Sequence, residues 1–199
     1  MSNTETYTYN VTAVPAGVDG AVGVGESKWY VAIVNARHEK KVAERLIGIG
    51  IECFVATQNE LRLWANGKRK MIERVIIPSI VFVKCTERER RELVRRPYIL
   101  RFMTDHAANK GTHNSPPATI PDRQLAMFKF MLGHADSPVN LIQSPLKHND
   151  KVRVIRGRLQ GLEGSIISDP DGSHSLIVAL DLLGGASVRI NLSDVQGIQ

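Results

Sequence analysis

The residues best able to do chemistry in this chain are six histidines, two cysteines and a run of closely spaced glycines. A metal or proton-relay site needs His, Cys, Asp or Glu at short, regular intervals, so that their side chains converge on one point. The histidines are scattered instead, mostly in segments whose composition reads as loop or linker. His106 and His113 flank one such loop with only Asp105 as a nearby acid. No set of His, Asp and Glu has the spacing of a zinc site or a catalytic triad. The expectation is a binding protein, not an enzyme, with no catalytic residues, cofactor or metal. Cys53 and Cys85 each lie in an apolar run and read as buried strand thiols in a reducing compartment. Gly157, Gly161 and Gly164 follow the basic strand-like run Lys151–Arg156. A phosphate-binding loop would continue into Gly-Lys-Ser/Thr and open a helix. This segment does neither, so its glycines read as a tight turn between two strands.

Charge is the stronger signal. The net charge is +6 over 199 residues, and it is unevenly distributed. Between Lys28 and Arg101 there are 17 Lys/Arg against 8 Asp/Glu, whereas Lys147–Gln199 holds six of each. A basic first region suggests a nucleic-acid-facing surface there, and a neutral second region another task. The hydrophobic fraction of 43% suffices for a globular core. No apolar stretch reaches the ~20 residues of a membrane helix, and no charged and apolar signal segment opens the chain, so a cytoplasmic protein is expected.

Residues 1–26 read as a flexible leader. Lys28–Val34 is a nearly continuous apolar strand, and Asn35 is placed to cap a helix running to about Gly48, with Val42, Leu46 and Ile49 on one face. A strand over Ile51–Ala56 follows, then a hairpin whose strands meet at Asn66-Gly67, then a strand after Pro78 through Ile80–Val83. Thr86 and Glu89 have capping-box spacing for a short basic helix to Arg96. Tyr98–Met103 reads as a closing strand, 105–119 as a loop and Pro121–Leu132 as a helix with Leu125, Phe128 and Leu132 inward. The expected fold class is α+β: an antiparallel sheet flanked by helices over 27–133, a linker over 134–146, and a small all-β barrel over 147–199.

The glycine-bearing segment 151–166 resembles a KOW motif, and Ile177–Val195 resembles the remainder of a KOW barrel. Trp29-Tyr30-Val31, Asn66–Lys70, Ile77-Pro78 and Val81-Phe82-Val83 follow in order the N-terminal domain of NusG-type transcription factors. Nearly the whole chain outside leader and loop is covered. Ser79-Ile80 after Pro78, Asn149 at the KOW opening and Arg158-Leu159 after its glycine depart from the housekeeping pattern. The short hairpin, leader and Arg-rich helix look most like the UpxY branch, antiterminators of capsular polysaccharide loci, and more distantly like RfaH.

The resemblance implies binding to elongating bacterial RNA polymerase, suppression of pausing and termination, a monomer, and association with the nucleoid through polymerase. Trp29, Tyr30, Phe54, Pro78, Ile80 and Phe82 match an apolar hollow for the clamp helices of the largest subunit. Arg88 and Arg91 lie on the helix that faces the second large subunit. Arg37, His38, Lys40 and Lys41 match a face that touches the non-template DNA strand, and Lys68 and Arg69 could reach upstream DNA. In the barrel, Leu159, Leu183, Val188 and Ile190 match positions that hold the ribosome or Rho. Against these stand plainer readings: core filling for the aromatics, solvated faces for the cations, and neutralisation of the arginines by Glu87, Glu89 and Glu92 at helical spacing. A general NusG and a KOW-bearing RNA- or ribosome-binding protein remain alternatives.

Overall fold

In the computed structural model, residues 25–64, 67–105, 115–142 and 151–198 are described. Residues 1–24 of the expected leader, Asn66 of the hairpin turn, the loop residues 106–114 with His106 and His113, and residues 143–150 with Asn149 lie outside them. The elements in chain order are β1 (Lys28–Ile33), α1 (Glu39–Gly48), β2 (Glu52–Phe54), β3 (Thr57–Leu63), β4 (Arg69–Val75), β5 (Ile80–Cys85), α2 (Glu87–Leu93), β6 (Arg101–Phe102), β7 (Thr119–Ile120), α3 (Asp122–His134), β8 (Asn140–Ile142), β9 (Lys151–Val154), β10 (Glu163–Ser168), β11 (His174–Leu180), β12 (Gly184–Ile190) and β13 (Val195–Gly197). Mixed helix and sheet was the expectation, and mixed helix and sheet is found. The chain divides into two units, one of Met1–Val55 with Pro78–Thr119, the other of Ala56–Ile77 with Ile120–Gln199.

In the first unit the strands are ordered β2-β5-β1-β6, and the pairings β2–β5, β5–β1 and β1–β6 are antiparallel. The apolar run of β1 is continuous because Trp29, Tyr30, Val31 and Ala32 are all buried, so both sheet faces are covered at this strand. α1 buries Val42, Ala43 and Leu46 at helical spacing. Its start differs from expectation. Asn35 accepts a turn bond from the His38 amide (3.1 Å), Arg37 takes a left-handed φ of 67°, and the helix begins at Glu39 with His38 at its N-cap. The chain must reverse after β1 before it can wind, and that turn occupies Asn35–Arg37. The capping box forms as expected: Thr86 Oγ1 accepts from the Glu89 amide, and Glu89 accepts from the Thr86 amide at 2.7 Å. α2 is shorter than expected and ends at Leu93. The closing strand is reduced to β6.

The second unit contains a six-stranded antiparallel sheet ordered β13-β9-β10-β11-β12-β8. Its core is Val152, Val154, Leu162, Leu176, Ile177, Val178, Leu180 and Val188. Gly157 and Gly161 take φ of 82° and 88° and turn β9 into β10. Gly164 has ordinary φ but no room: a Cβ there would collide with the Ile177 carbonyl oxygen on β11. The segment 134–146, expected as a linker, instead supplies β8, which pairs with Gly185–Ser187. Val139 is fully buried and the strand-forming residues Leu141 and Ile142 are half-buried, which offsets the ordering cost that two prolines had suggested the segment would avoid. The hairpin β3–β4 and helix α3 also belong to this unit. Gln124 clamps Asp181, donating to its carboxylate (3.0 Å) and accepting from its amide (2.9 Å).

Candidate functional site

Strand register decides which of the candidate aromatics can act together. Directly paired residues of antiparallel strands share a face. The pairs Trp29–Lys84, Val31–Phe82, Ile33–Ile80 and Phe54–Phe82 therefore place Trp29, Phe54, Ile80 and Phe82 on one side of the sheet. Phe54 stacks on Phe82 with ring centroids 5.8 Å apart, and Lys84 Nζ lies 5.6 Å from the Trp29 ring centroid. Tyr30 pairs with Val83 on the opposite side. There its ring meets Phe102 edge-on at 6.2 Å, and the Arg90 guanidinium from α2 covers both rings at 5.8 and 5.5 Å. On that same side the Cys53 thiol donates to the Ala43 carbonyl of α1.

The candidate hollow is thus divided, and most of it is not surface. Trp29, Tyr30, Phe54 and Phe82 are buried, so the expected exposed patch is not formed by these four side chains. β1 and β5 lie in the middle of the sheet, with both of their faces covered. Pro78 is exposed and Ile80 half-buried. Between them Ser79 takes φ 63°, a conformation disfavoured outside glycine. It is held at both ends: its amide donates to Glu39 Oε1 (2.6 Å), and its carbonyl accepts from the Val34 amide (2.9 Å). Glu39 is buried at the first position of α1, where a carboxylate also complements the helix dipole.

The candidate DNA residues gather at the start of α1. Arg37, His38 and Lys41 are exposed and Lys40 half-buried. His38, Lys41 and Arg45, with Asn35, Val42, Pro97 and Tyr98, line a cavity of about 280 Å³. Arg45 stacks over the Tyr98 ring at 5.4 Å. Tyr98 and Arg45 were not singled out from sequence. Arg45 lies one and two helical turns from Lys41 and His38, a spacing visible in the sequence. Tyr98 reaches the cavity only through the chain reversal after α2. A cationic wall beside an aromatic ring can hold a phosphate and stack a base.

α2 shows how its arginines are used. Arg90 donates two bonds of 2.7 Å to Glu87, and Arg91 a third of 3.0 Å. Arg88 approaches Glu92 at 3.7 Å. The Arg90 bonds hold the Glu87 carboxyl down at about 2, and burial pushes the neighbouring Cys85 thiol up to about 12. Both cysteines are buried in strands, and neither forms a disulfide. Arg88 and Arg91 remain largely exposed despite their partners, whereas the Arg90 side chain is only 16% exposed.

The hairpin cations Lys68 and Arg69 are exposed on either side of the start of β4. In the six-stranded sheet, Leu159, Val188 and Ile190 line one cavity of about 480 Å³ together with Arg156, Arg158 and Arg189. Two of these arginines are paired, Arg158 to Asp136 and Arg189 to Asp171, each at 2.7 Å. Leu183 is not among its lining residues; it lies in the turn between β11 and β12. Among the described residues there is no group of three or more His, Cys, Asp or Glu that could hold a metal ion. Also among them, no helix is long and apolar enough to cross a membrane.

A structure described as domain interaction in Thermotoga maritima NusG is 18% identical, covers 87% of this chain and 98% of its own, and superposes with a TM-score of 0.44. The MjSpt4:Spt5 complex in conformation A is 13% identical over 86% of this chain and 98% of its own, with a TM-score of 0.28. No curated protein matches the sequence. The model of the family described as transcription termination factor nusG matches residues 27–129, a span that holds β1 to β7 and most of α3. That match covers more than half of the chain, and the chain belongs to the NusG family of transcription factors.

Proposed function

We propose that this protein is an operon-specific antiterminator that binds elongating bacterial RNA polymerase and suppresses pausing and termination, at loci of the capsular polysaccharide type. The observation that carries this reading is the cavity at the start of α1, where His38, Lys41 and Arg45 surround Tyr98 within the family-matched span. Its cations suit the phosphates of the displaced non-template strand, and the ring suits one unstacked base. Arg37 and Lys40 extend the same face; Lys68 and Arg69, on the hairpin of the other unit, are separate candidate contacts to DNA.

Docking on the clamp helices of the largest subunit centres on Pro78 and Ile80, the accessible members of the candidate hollow, with Trp29, Phe54 and Phe82 as the packed support behind Ile80. Tyr30 acts through Arg90 as a brace of α2, which presents Arg88 and Arg91 to the second large subunit. Binding that is tighter to the elongating polymerase than to its paused form shifts the population towards elongation, and no bond need be made or broken. The C-terminal sheet serves as a KOW-type module whose cavity receives a protein such as the ribosome or Rho through the half-buried Ile190, with the buried Leu159 and Val188 as packed support behind it. That cavity favours the second reading, a general NusG, if its partner is found at every transcribed gene.

The test is chromatin occupancy of a tagged copy beside polymerase, with Ile80→Asp and Lys41→Glu/Arg45→Glu variants. Signal at one or a few operons, lost with Ile80→Asp and weakened with the double reversal, is the expected outcome. Signal over most transcribed genes replaces this reading by the general factor. No signal coincident with polymerase defeats both and leaves an RNA- or ribosome-binding protein.

A further inference from the structure

The hairpin β3–β4 has two unlike faces. The pairs Leu61–Met71 and Leu63–Arg69 lie on one, and Gln58–Arg74, Glu60–Ile72 and Arg62–Lys70 on the other. The second face roots the ribbon in its own unit. Gln58 donates to the Ser137 carbonyl (3.1 Å) and accepts from the Val139 amide (2.9 Å), and Arg74 donates to the Val139 carbonyl (3.4 Å) and pairs with Glu60 (3.2 Å). Because that face is turned towards the segment carrying β8, the Leu61–Leu63–Met71 face is turned away from it. Each of those three side chains is more than half exposed, at 57%, 66% and 61%.

Three adjacent aliphatic side chains on one ribbon face make a contiguous apolar patch of on the order of 300 Å². Nothing about such a patch suits the phosphate backbone, whose partners are polar and cationic. The cation within the patch is Arg69, opposite Leu63, and the nearest acid on the same face, Glu73, stands opposite Asn59 on the far side of Met71 from it. We infer that the Leu61–Leu63–Met71 face of the hairpin docks on a protein surface of the transcription complex, one presenting an apolar patch beside a carboxylate for Arg69. The inference rests on the polymerase-binding reading and reassigns Arg69 from DNA to protein.

Size supports a secondary contact of this kind. A free-standing protein interface buries about 800 Å² per partner, more than this patch offers. The patch is adequate only where the chain is already held elsewhere, as it would be on polymerase. There the gain is one of effective concentration: a second weak contact on a tethered ribbon multiplies the first. Arg62 and Lys70, with Trp64 beyond them, fall on the opposite face and stay open to DNA.

The experiment places the photo-crosslinking residue p-benzoylphenylalanine at position 63, and in a second protein at position 70, each in the full chain. Both are bound to a purified elongation complex on a defined nucleic-acid scaffold, and co-migration with the complex is scored separately. The expected result is a crosslink from position 63 to a polymerase subunit that position 70 does not make. In a companion measurement, Leu61→Ser/Leu63→Ser and Arg69→Glu should each weaken binding to the complex about 5- to 10-fold with an unchanged Tm. A crosslink from position 63 to nucleic acid alone overturns the inference and returns the hairpin to DNA. So does the absence of any crosslink from a chain that still co-migrates. Failure to co-migrate defeats the polymerase reading itself, and this inference with it.

Discussion

α1 and α2 are short helices of the same unit that carry three cations each, and those cations have opposite uses. In α2, glutamates stand three or four residues from the arginines, and Glu87 alone accepts three bonds from Arg90 and Arg91. Much of its charge is spent on holding the helix to itself and, through Arg90, to Tyr30 and Phe102. In α1, the acid at the first position is turned inward to hold Ser79. Lys41 and Arg45 are left beside Tyr98 on the cavity wall. Equal numbers of cations in a sequence therefore do not mean equal ability to bind a polyanion. What matters is whether each acid neighbour is within reach and which way it is turned.

The largest expected effect tests that contrast directly. Lys41→Glu/Arg45→Glu should weaken binding of single-stranded DNA by about 30-fold or more, and should flatten its salt dependence, since two phosphate contacts are lost. Arg88→Glu/Arg91→Glu should change it less than about 3-fold. Fluorescence anisotropy with a labelled oligonucleotide at two salt concentrations distinguishes them, and equal losses would erase the difference between the helices. Next in size, Arg90→Ala should lower stability by about 2 kcal/mol, because it uncovers two rings and takes away two of the three bonds that Glu87 accepts. Arg88→Ala should cost less than about 0.5 kcal/mol, as exposed pairs do. Chemical denaturation of both variants measures the gap.

The smallest effect concerns pH. The carboxyl of Glu87 titrates near 2 in the folded chain against an ordinary 4.5. Its folded value is depressed, so its stabilisation is complete above about 4.5 and is lost as pH falls from there towards 2. Glu87→Gln should be less stable than the parent by about 1 kcal/mol at neutral pH, a figure kept small because the side chain is 41% exposed. The two proteins should converge by the bottom of that window. A constant difference across the window would show that Glu87 stabilises by packing and not by charge.

Much of the architecture was readable from local signals. The capping box at Thr86 and Glu89 formed as spaced, and the hairpin and the glycine turn at 157–161 fell where their residue types required. These motifs are settled within a few residues by backbone sterics and short hydrogen bonds. The candidate sites were less readable. Four aromatics that matched a docking hollow are core, and the cation cavity is completed by Arg45 and by Tyr98, a residue that nothing in the local sequence links to α1. Residues 134–146 had the composition of a linker, yet β8 within them pairs with β12 more than forty residues away.

The sequence by itself determined where most of the helices and strands form, that the first region is basic and the last neutral, and that the cysteines are strand residues. It also carried the order of motifs that matches the NusG family. Only the tertiary structure decided which of those residues face the same way. One-residue alternation along β1 separates Trp29 from Tyr30, and the pairing with β5 determines which neighbours each one meets. The same parity turns Leu61, Leu63 and Met71 away from the segment that anchors the hairpin. Register between strands is set by contacts made after collapse, among residues distant in the chain. A reading along the chain can count charges and apolar side chains, but the face they share is fixed by pairing across it.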